Sequence, residues 1–182
     1  MLSYEKGLGI VLEQLQPLPA AGVPVASAAG LILAKPVAAR WDLPGHNNSA
    51  MDGFAMAADS VSVGAPIVVV DFLPAGNLRT EPVPSGCAVR IMTGAPLPPG
   101  TDTVVPVENV EINGEVISLR SKPKKGADVR LKGEEFKAGE TLLEPGTLLR
   151  SGEIGLLAAA GVEMYWSIRS HVSHFSSPVT NW

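Results

Sequence analysis

The residues best equipped for chemistry stand in three short loops. The first is Asn47-Asn48-Ser49-Ala50-Met51-Asp52-Gly53-Phe54-Ala55, just after Pro44-Gly45. It puts an acid, a hydroxyl and two amides beside a glycine. Gly53 can let a ligand approach the backbone while Asp52 binds Mg²⁺ or orients a phosphate-bearing group. An Asp-Gly pair can equally do no more than turn the chain. The second loop is Ile91-Met92-Thr93-Gly94-Ala95-Pro96. Here a strand ends, and a hydroxyl and a glycine expose backbone N–H groups that can form an anion-binding nest. The plainer reading is a strand exit into a loop carrying Pro96, Pro98 and Pro99. The third, Arg130-Leu131-Lys132-Gly133-Glu134-Glu135, sets two cations and two carboxylates around a glycine. A paired Arg and Glu can clamp phosphate or a metal-bound oxyanion; a solvated mixed-charge turn would look the same.

Other candidates are weaker. His171 and His174 are three residues apart, a helical metal-pair spacing, but lack carboxylate companions nearby. Cys87 has no basic neighbour nearer than Arg90 and reads as structural. Lys122, Lys124 and Lys125 read as a solvated face. No Walker A, G-x-S-x-G, H-E-x-x-H or dinucleotide fingerprint is present.

Composition narrows the function classes. The chain has 182 residues, 46% hydrophobic and 18% charged, with 19 Gly and 16 Pro, which favours short strands and turns over long helices. Its net charge is −4 and only 5% of residues are aromatic, with no basic cluster interleaved with aromatics, so nucleic-acid binding is not expected. One cysteine excludes a disulfide framework. No apolar run approaches the length of a membrane span and no signal-peptide pattern opens the chain. Cytoplasm is the expected location.

The elements that must position these loops can be read from periodicity. Leu8, Val11, Leu12 and Leu15 at i, i+3, i+4, i+7, with Ser3 as N-cap, predict an amphipathic helix ended by Pro17 and Pro19. Ala26 to Leu33 reads as a second short helix, and Val37 to Trp41 as extended. Strands are expected at Ile67–Val70, Ala88–Met92, Thr103–Val107, Val110–Ile112 and Val116–Leu119. Asn113-Gly114 predicts a type I′ hairpin turn between the last two. Glu144-Pro145-Gly146 is a turn, and Ser151 is expected to cap a helix from Gly152 to Ala160 that Gly161 stops. The fold class this implies is α+β: an elongated, mixed α/β lobe from both chain ends, residues 1–43 and 140–164, with a small all-β lobe, residues 44–139, inserted. Residues 165–182 lose the apolar periodicity and are expected to be an atypical tail, disordered or outside the pattern of the rest.

Taken in order, the three loops resemble the N-terminal half of the molybdopterin molybdenumtransferases, the MoeA family, related to the E domain of gephyrin. Thr103-Val104-Val105-Pro106-Val107-Glu108 and the turn from Gly139 through Leu142-Leu143 to Pro145-Gly146 match the same pattern. The likeness runs from about Leu8 to Val162. It implies an enzyme that inserts molybdate into adenylylated molybdopterin with Mg²⁺, releasing AMP. It also implies a homodimer whose cleft lies between the β lobe of one subunit and a pterin-binding α/β domain of the other. An adenylyltransferase-type partner and molybdoenzyme maturation proteins would be its associates.

On that resemblance Asp52, Thr93, Arg130 and Glu135 would face the cleft, with Ser49, Gly53 and Gly94 contacting substrate. Asp52 and Glu135 would position Mg²⁺ or an oxyanion through water, Thr93 would donate a hydrogen bond, and Arg130 would pair with phosphate or molybdate. The sequence departs from the pattern at His46 and Asn47, where the family has an aromatic and an acid. Glu135 is one methylene longer than the usual Asp, and the basic triplet is reduced to Arg130 and Lys132. No Ser-Thr-Gly-Asp-Glu motif follows residue 170, so the chain is expected to be truncated before the pterin-binding domain and inactive alone. The alternatives are a non-catalytic dimerisation or interaction module, and an unrelated small-ligand β module.

Overall fold

The computed structural model describes residues 2–14 and 19–168. In chain order the elements are α1 (Tyr4–Gln14), β1 (Ala21–Pro24), β2 (Ile32–Leu33), β3 (Val37–Ala38), β4 (Asn48–Ser49), β5 (Gly53–Met56) and β6 (Ile67–Leu73). There follow β7 (Cys87–Ile91), β8 (Thr103–Pro106), β9 (Val110–Asn113), β10 (Val116–Leu119), β11 (Val129–Arg130), β12 (Thr141–Leu143), α2 (Ser151–Ala159) and β13 (Met164–Ile168). The class is α+β. Two compact units divide the chain: Met1–Arg40 with Gly139–Trp182, and Trp41–Ala138 inserted between them.

In the first unit, β13 lies between β1 and β2, antiparallel to both, and β12 pairs with β3. Leu33, Leu149, Leu157 and Ala160 are fully buried at its centre. α1 starts as read: Ser3 Oγ accepts the Lys6 N–H at 3.4 Å. The helix expected over Ala26–Leu33 does not form. Only a single 3₁₀ turn, Val25–Ser27, is present. Gly30 then takes φ +80°, outside the helical region, and Leu31 and Leu33 exchange backbone hydrogen bonds with the 146–149 segment. Strand partners outcompete a short helix that has no apolar periodicity of its own.

α2 also begins one residue earlier than expected. Arg150 is the N-cap and Ser151 the first helical residue; Glu153 reaches back to accept the Arg150 N–H at 2.9 Å. Its end matches the expectation: Gly161 has φ +78°, its N–H bonds Ala158, and Val162 N–H bonds Leu157, a Schellman closure. Tyr165–Ile168, assigned by sequence to the tail, are strand β13 in its backbone pairing. The remaining tail, with His171 and His174, lies outside the described residues.

The second unit is a six-stranded sheet in the order β8-β5-β7-β6-β10-β9, plus the small pair β4–β11. All neighbours are antiparallel except β6 and β7. Alternation divides the core between the two faces of the sheet. Phe54, Met56, Ala88, Val105 and Ile117 form one cluster; Ala55, Val89, Ile91, Leu73 and Val104 form the other. The β9–β10 hairpin exists, but one residue out of the expected register. Asn113 pairs with Val116, so Gly114 and Glu115 make the turn, and only Gly114 has positive φ, +61°. That is the pattern of a II′ turn, which needs glycine only at its first central position.

Candidate functional site

All three loops belong to the second unit, and backbone bonds knit them together around Ser49. On one side β4 pairs with β11, setting Val129 against Ser49 and Arg130 against Asn48. On the other, Ser49 N–H donates to Ala95 O at 2.9 Å and Gly94 N–H donates to Ser49 O at 2.8 Å. Asn47 holds two further segments: its Oδ1 accepts Lys132 N–H and its carbonyl accepts Leu97 N–H, both at 2.8 Å. Asp128, in the left-handed region at φ 55°, turns its carbonyl to the Ala50 N–H at 2.9 Å. The residue that departs from the family's acid at position 47 is thus a structural tie between the first, second and third loops.

Two side-chain clusters result. In the first, Thr93 donates its backbone N–H and its hydroxyl to Asp52 Oδ1, each at 2.7 Å. Two donors on one oxygen favour the charged form, so Asp52 is held below the ordinary carboxylate range, first by the backbone N–H, then by the hydroxyl, with the Arg90 charge contributing. Oδ2 has no hydrogen-bond partner among the described residues. The anion nest expected at Thr93–Gly94 is therefore not formed: Thr93 gives its N–H and hydroxyl to the chain's own carboxylate, and the Gly94 N–H goes to Ser49 O. Beside the Asp52–Thr93 pair is a recess of about 120 Å³ lined by Asp52, Phe54, Arg90, Met92 and Val107 among others.

The second cluster is centred on Arg130. Its Nε donates to Glu134 Oε1 at 2.7 Å and a terminal nitrogen donates to Glu135 Oε1 at 2.9 Å. Glu134 Oε2 also accepts the Leu131 N–H at 2.8 Å, and that bond, ahead of Arg130, holds its carboxyl below the usual range. One cation between two carboxylates leaves this trio with an excess negative charge. Among the described residues no hydrogen bond joins the side chains of the two clusters; their link is the β4–β11 ladder and the Ser49–Gly94 bond.

One expected substrate contact is corrected. Ser49 is fully buried, and its hydroxyl donates to Met51 O while accepting Met51 N–H; it shapes the loop from inside. Gly53 is a glycine because of β8: a Cβ there would stand 2.2 Å from the Val105 carbonyl oxygen. Gly94 takes φ +83° with open space beside it, but its N–H is given to Ser49. Sequence reasoning counted Glu134 among the charges of the third loop but gave it no role of its own, although its i+4 spacing from Arg130 marks the pair, and it passed over Arg90. The alternation of Cys87–Ile91 places Arg90 on the same face as Ala88, beside Phe54 and Phe72.

Among the described residues no group of three or more His, Cys, Asp or Glu side chains converges on one point. A preformed transition-metal centre is not built here. Mg²⁺ commonly keeps several waters and takes only one or two carboxylates with substrate phosphates, and the unshared Oδ2 of an ionised Asp52 suits that role. No helix among the described residues is long and apolar enough to cross a membrane.

Comparison with known proteins gives one consistent result. Residues 2–161 match the family model described as MoeA N-terminal region, domain I and II. Molybdopterin molybdenumtransferase 2 of Mycobacterium tuberculosis is 35% identical over 170 residues, covering 89% of this chain and 41% of the relative. Molybdopterin molybdenumtransferase of Synechococcus elongatus is 36% identical over 172 residues, covering 89% and 42%. The crystal structure of the molybdopterin biosynthesis moeA protein from Pyrococcus horikoshii OT3 superposes with a TM-score of 0.86 at 28% identity, covering 92% of this chain and 46% of that one. The chain thus spans about two fifths of the length of the curated relatives it matches.

Proposed function

The chain belongs to the family of MoeA N-terminal regions, and on that premise we propose that it supplies the β-lobe wall of a site that inserts molybdate into adenylylated molybdopterin. The observation that carries this reading is the Asp52–Thr93 pair: an ionised carboxylate fixed through Oδ1, with Oδ2 left for ligand. Fixing the carboxylate before substrate arrives removes reorganisation at the moment of reaction. Thr93, whose proton is committed to Asp52, acts as the positioning residue. Mg²⁺, when bound, would neutralise phosphate or molybdate charge, held by Asp52 Oδ2 and, through water, by Glu135. Arg130 would face the oxyanion with its charge moderated by Glu134 and Glu135.

The functional form is a homodimer assembled through α1. Leu8, Val11 and Leu12, on one side of the helix, are each 43% exposed or more, and an 11-residue helix is marginal without a packing partner. A second copy offers the same apolar stripe.

The test replaces the matching region of the Synechococcus relative with residues 2–161 of this chain. Molybdate insertion into adenylylated molybdopterin is expected from the chimera and is lost in its Asp52→Ala variant with the melting temperature unchanged. Full activity in the Asp52→Ala chimera would overturn the reading.

A further inference from the structure

A pocket of about 330 Å³ opens between the start of the first loop, the proline-rich run that follows the second, and Lys132 of the third. It shares no lining residue with the Asp52 recess. Its size falls at the lower end of the range for small-molecule sites, about 300–1,000 Å³.

One part of the wall carries donors and no acid. Asn47 Oδ1 is taken by the Lys132 N–H at 2.8 Å, so the Nδ2 edge, with its two N–H donors, is what the amide has left to offer. Neither Nδ2 nor the His46 imidazole has a hydrogen-bond partner among the described residues. The Lys132 ammonium has three donors, and Asp42 Oδ2 takes one of them at 3.2 Å. Asp42 itself does not line the pocket, and its Oδ1 accepts the Ala138 N–H at 2.8 Å. No Asp or Glu is among the lining residues.

The rest of the wall is hydrocarbon on a fixed backbone. Pro96, Pro98 and Pro99 have no N–H, and their rings fix φ. Pro98 O accepts the Thr101 hydroxyl at 2.7 Å, and Pro99 O accepts the Val83 N–H at 2.8 Å. The Leu97 N–H goes to Asn47 O at 2.8 Å, which draws this apolar run against the donors. Leu78 is 62% exposed, apolar surface that a ligand would cover. A wall formed in advance costs little ordering on binding.

Free donors beside a fixed apolar wall suit an anion that has an apolar body. We propose that this pocket binds a small carboxylate with an aromatic or branched aliphatic body. Its carboxylate accepts from Asn47 Nδ2 and Lys132 Nζ, with His46 donating beside them, and its body lies against Leu78 and the Pro96–Pro99 run. The inference goes beyond molybdate insertion and does not depend on it.

The experiment is an NMR titration of the ¹⁵N-labelled full chain, at constant ionic strength, with benzoate, 4-methylvalerate, benzyl alcohol and inorganic phosphate. At least one of the two carboxylates is expected to move the amides of Asn47, Leu97 and Lys132 and to leave those of Arg90 and Thr93 in place. Asn47→Asp keeps an oxygen for the Lys132 N–H but puts a carboxylate where the donors were, and should weaken that ligand about tenfold or more. Lys132→Gln should weaken it severalfold, and carries the test if Asn47→Asp perturbs the parent spectrum. Leu78→Ser, at an exposed position, should also weaken it. Three results would overturn the proposal: neither carboxylate moving these amides, benzyl alcohol binding as tightly as benzoate, or inorganic phosphate competing as well as the carboxylates. None of them bears on whether Asp52→Ala abolishes turnover in the chimera.

Discussion

Thr93 gives two donors, its backbone N–H and its hydroxyl, to the same oxygen of Asp52, both at 2.7 Å. The two residues come from loops 41 positions apart, and the contact turns an exposed acid into an oriented one. It also accounts for the donors of the Thr93–Gly94 turn: the two of Thr93 hold the chain's own carboxylate, and the Gly94 N–H goes to Ser49 O.

The lowered pKa of Asp52 has a signed consequence for stability. A depressed folded-state value means the interaction stabilises the fold above the unfolded-state pKa, about 3.9, and is lost as pH falls through the lower folded value. Parent and Asp52→Asn should therefore differ in urea midpoint at neutral pH and converge below about pH 4. Thr93→Val removes one of the two donors, so the Asp52 carboxyl should titrate higher than in the parent, read by carboxyl ¹³C shifts. An unmoved titration would show that the hydroxyl does not hold the carboxylate.

Gly53 and Gly94 look alike in the sequence but should respond differently to alanine. At Gly53 the new Cβ meets the Val105 carbonyl oxygen at 2.2 Å, backbone that cannot step aside without opening the β5–β8 ladder. Gly53→Ala should cost more than Gly94→Ala, about 3 kcal/mol or more in denaturant unfolding. At Gly94 there is open space and only φ +83° to strain, so Gly94→Ala should cost about 1–2 kcal/mol. Equal losses would refute the packing explanation for Gly53.

This contrast shows what was legible in the sequence. Five strands of the inserted unit, β6 to β10, and the Gly161 stop follow from local pattern, because alternation, turn residues and caps act over a few positions; β4, β5 and β11 are not expected from it, and Gly53-Phe54-Ala55 of β5 reads as loop in the sequence. Gly53's role was not legible, since it depends on β8 lying alongside some fifty residues later. Ser49's burial and Arg130's double pairing are likewise properties of tertiary neighbours. Arg90 was hidden by a bulge: simple alternation along Ile67–Leu73 cannot say whether Asp71 or Phe72 stands beside it.

The Arg130 trio makes a prediction about anion affinity. Its ion pairs are exposed, so they contribute little stability, under about 1 kcal/mol. Their effect is on charge. Glu134→Gln takes the trio from one excess negative charge to neutral, which should strengthen molybdate binding measured by calorimetry while barely changing the unfolding midpoint. The gain should shrink as salt rises from 50 to 300 mM, roughly as expected when the screening length falls through ~10 Å. Weaker molybdate binding in Glu134→Gln would mean that Glu134 orients Arg130 more than it opposes the anion.

The exposed stripe on α1 predicts the assembly state. Leu8 and Leu12 are i, i+4 neighbours, with Val11 between them on the same side, and 43–56% of each is exposed. Burying the exposed half of one such side chain is worth about 1 kcal/mol, so two helices contributing three each add about 6 kcal/mol toward the cost of association. Light scattering should give twice the 18.9 kDa chain mass for the parent. Leu8→Asp with Leu12→Asp should reduce it to the monomer, because two carboxylates would meet their own copies across a two-fold interface. The substitutions lie on a surface that the fold does not bury, so the spectrum of the Trp41–Ala138 unit should be unchanged. A parent that runs as a monomer at every concentration would assign the stripe to some other partner.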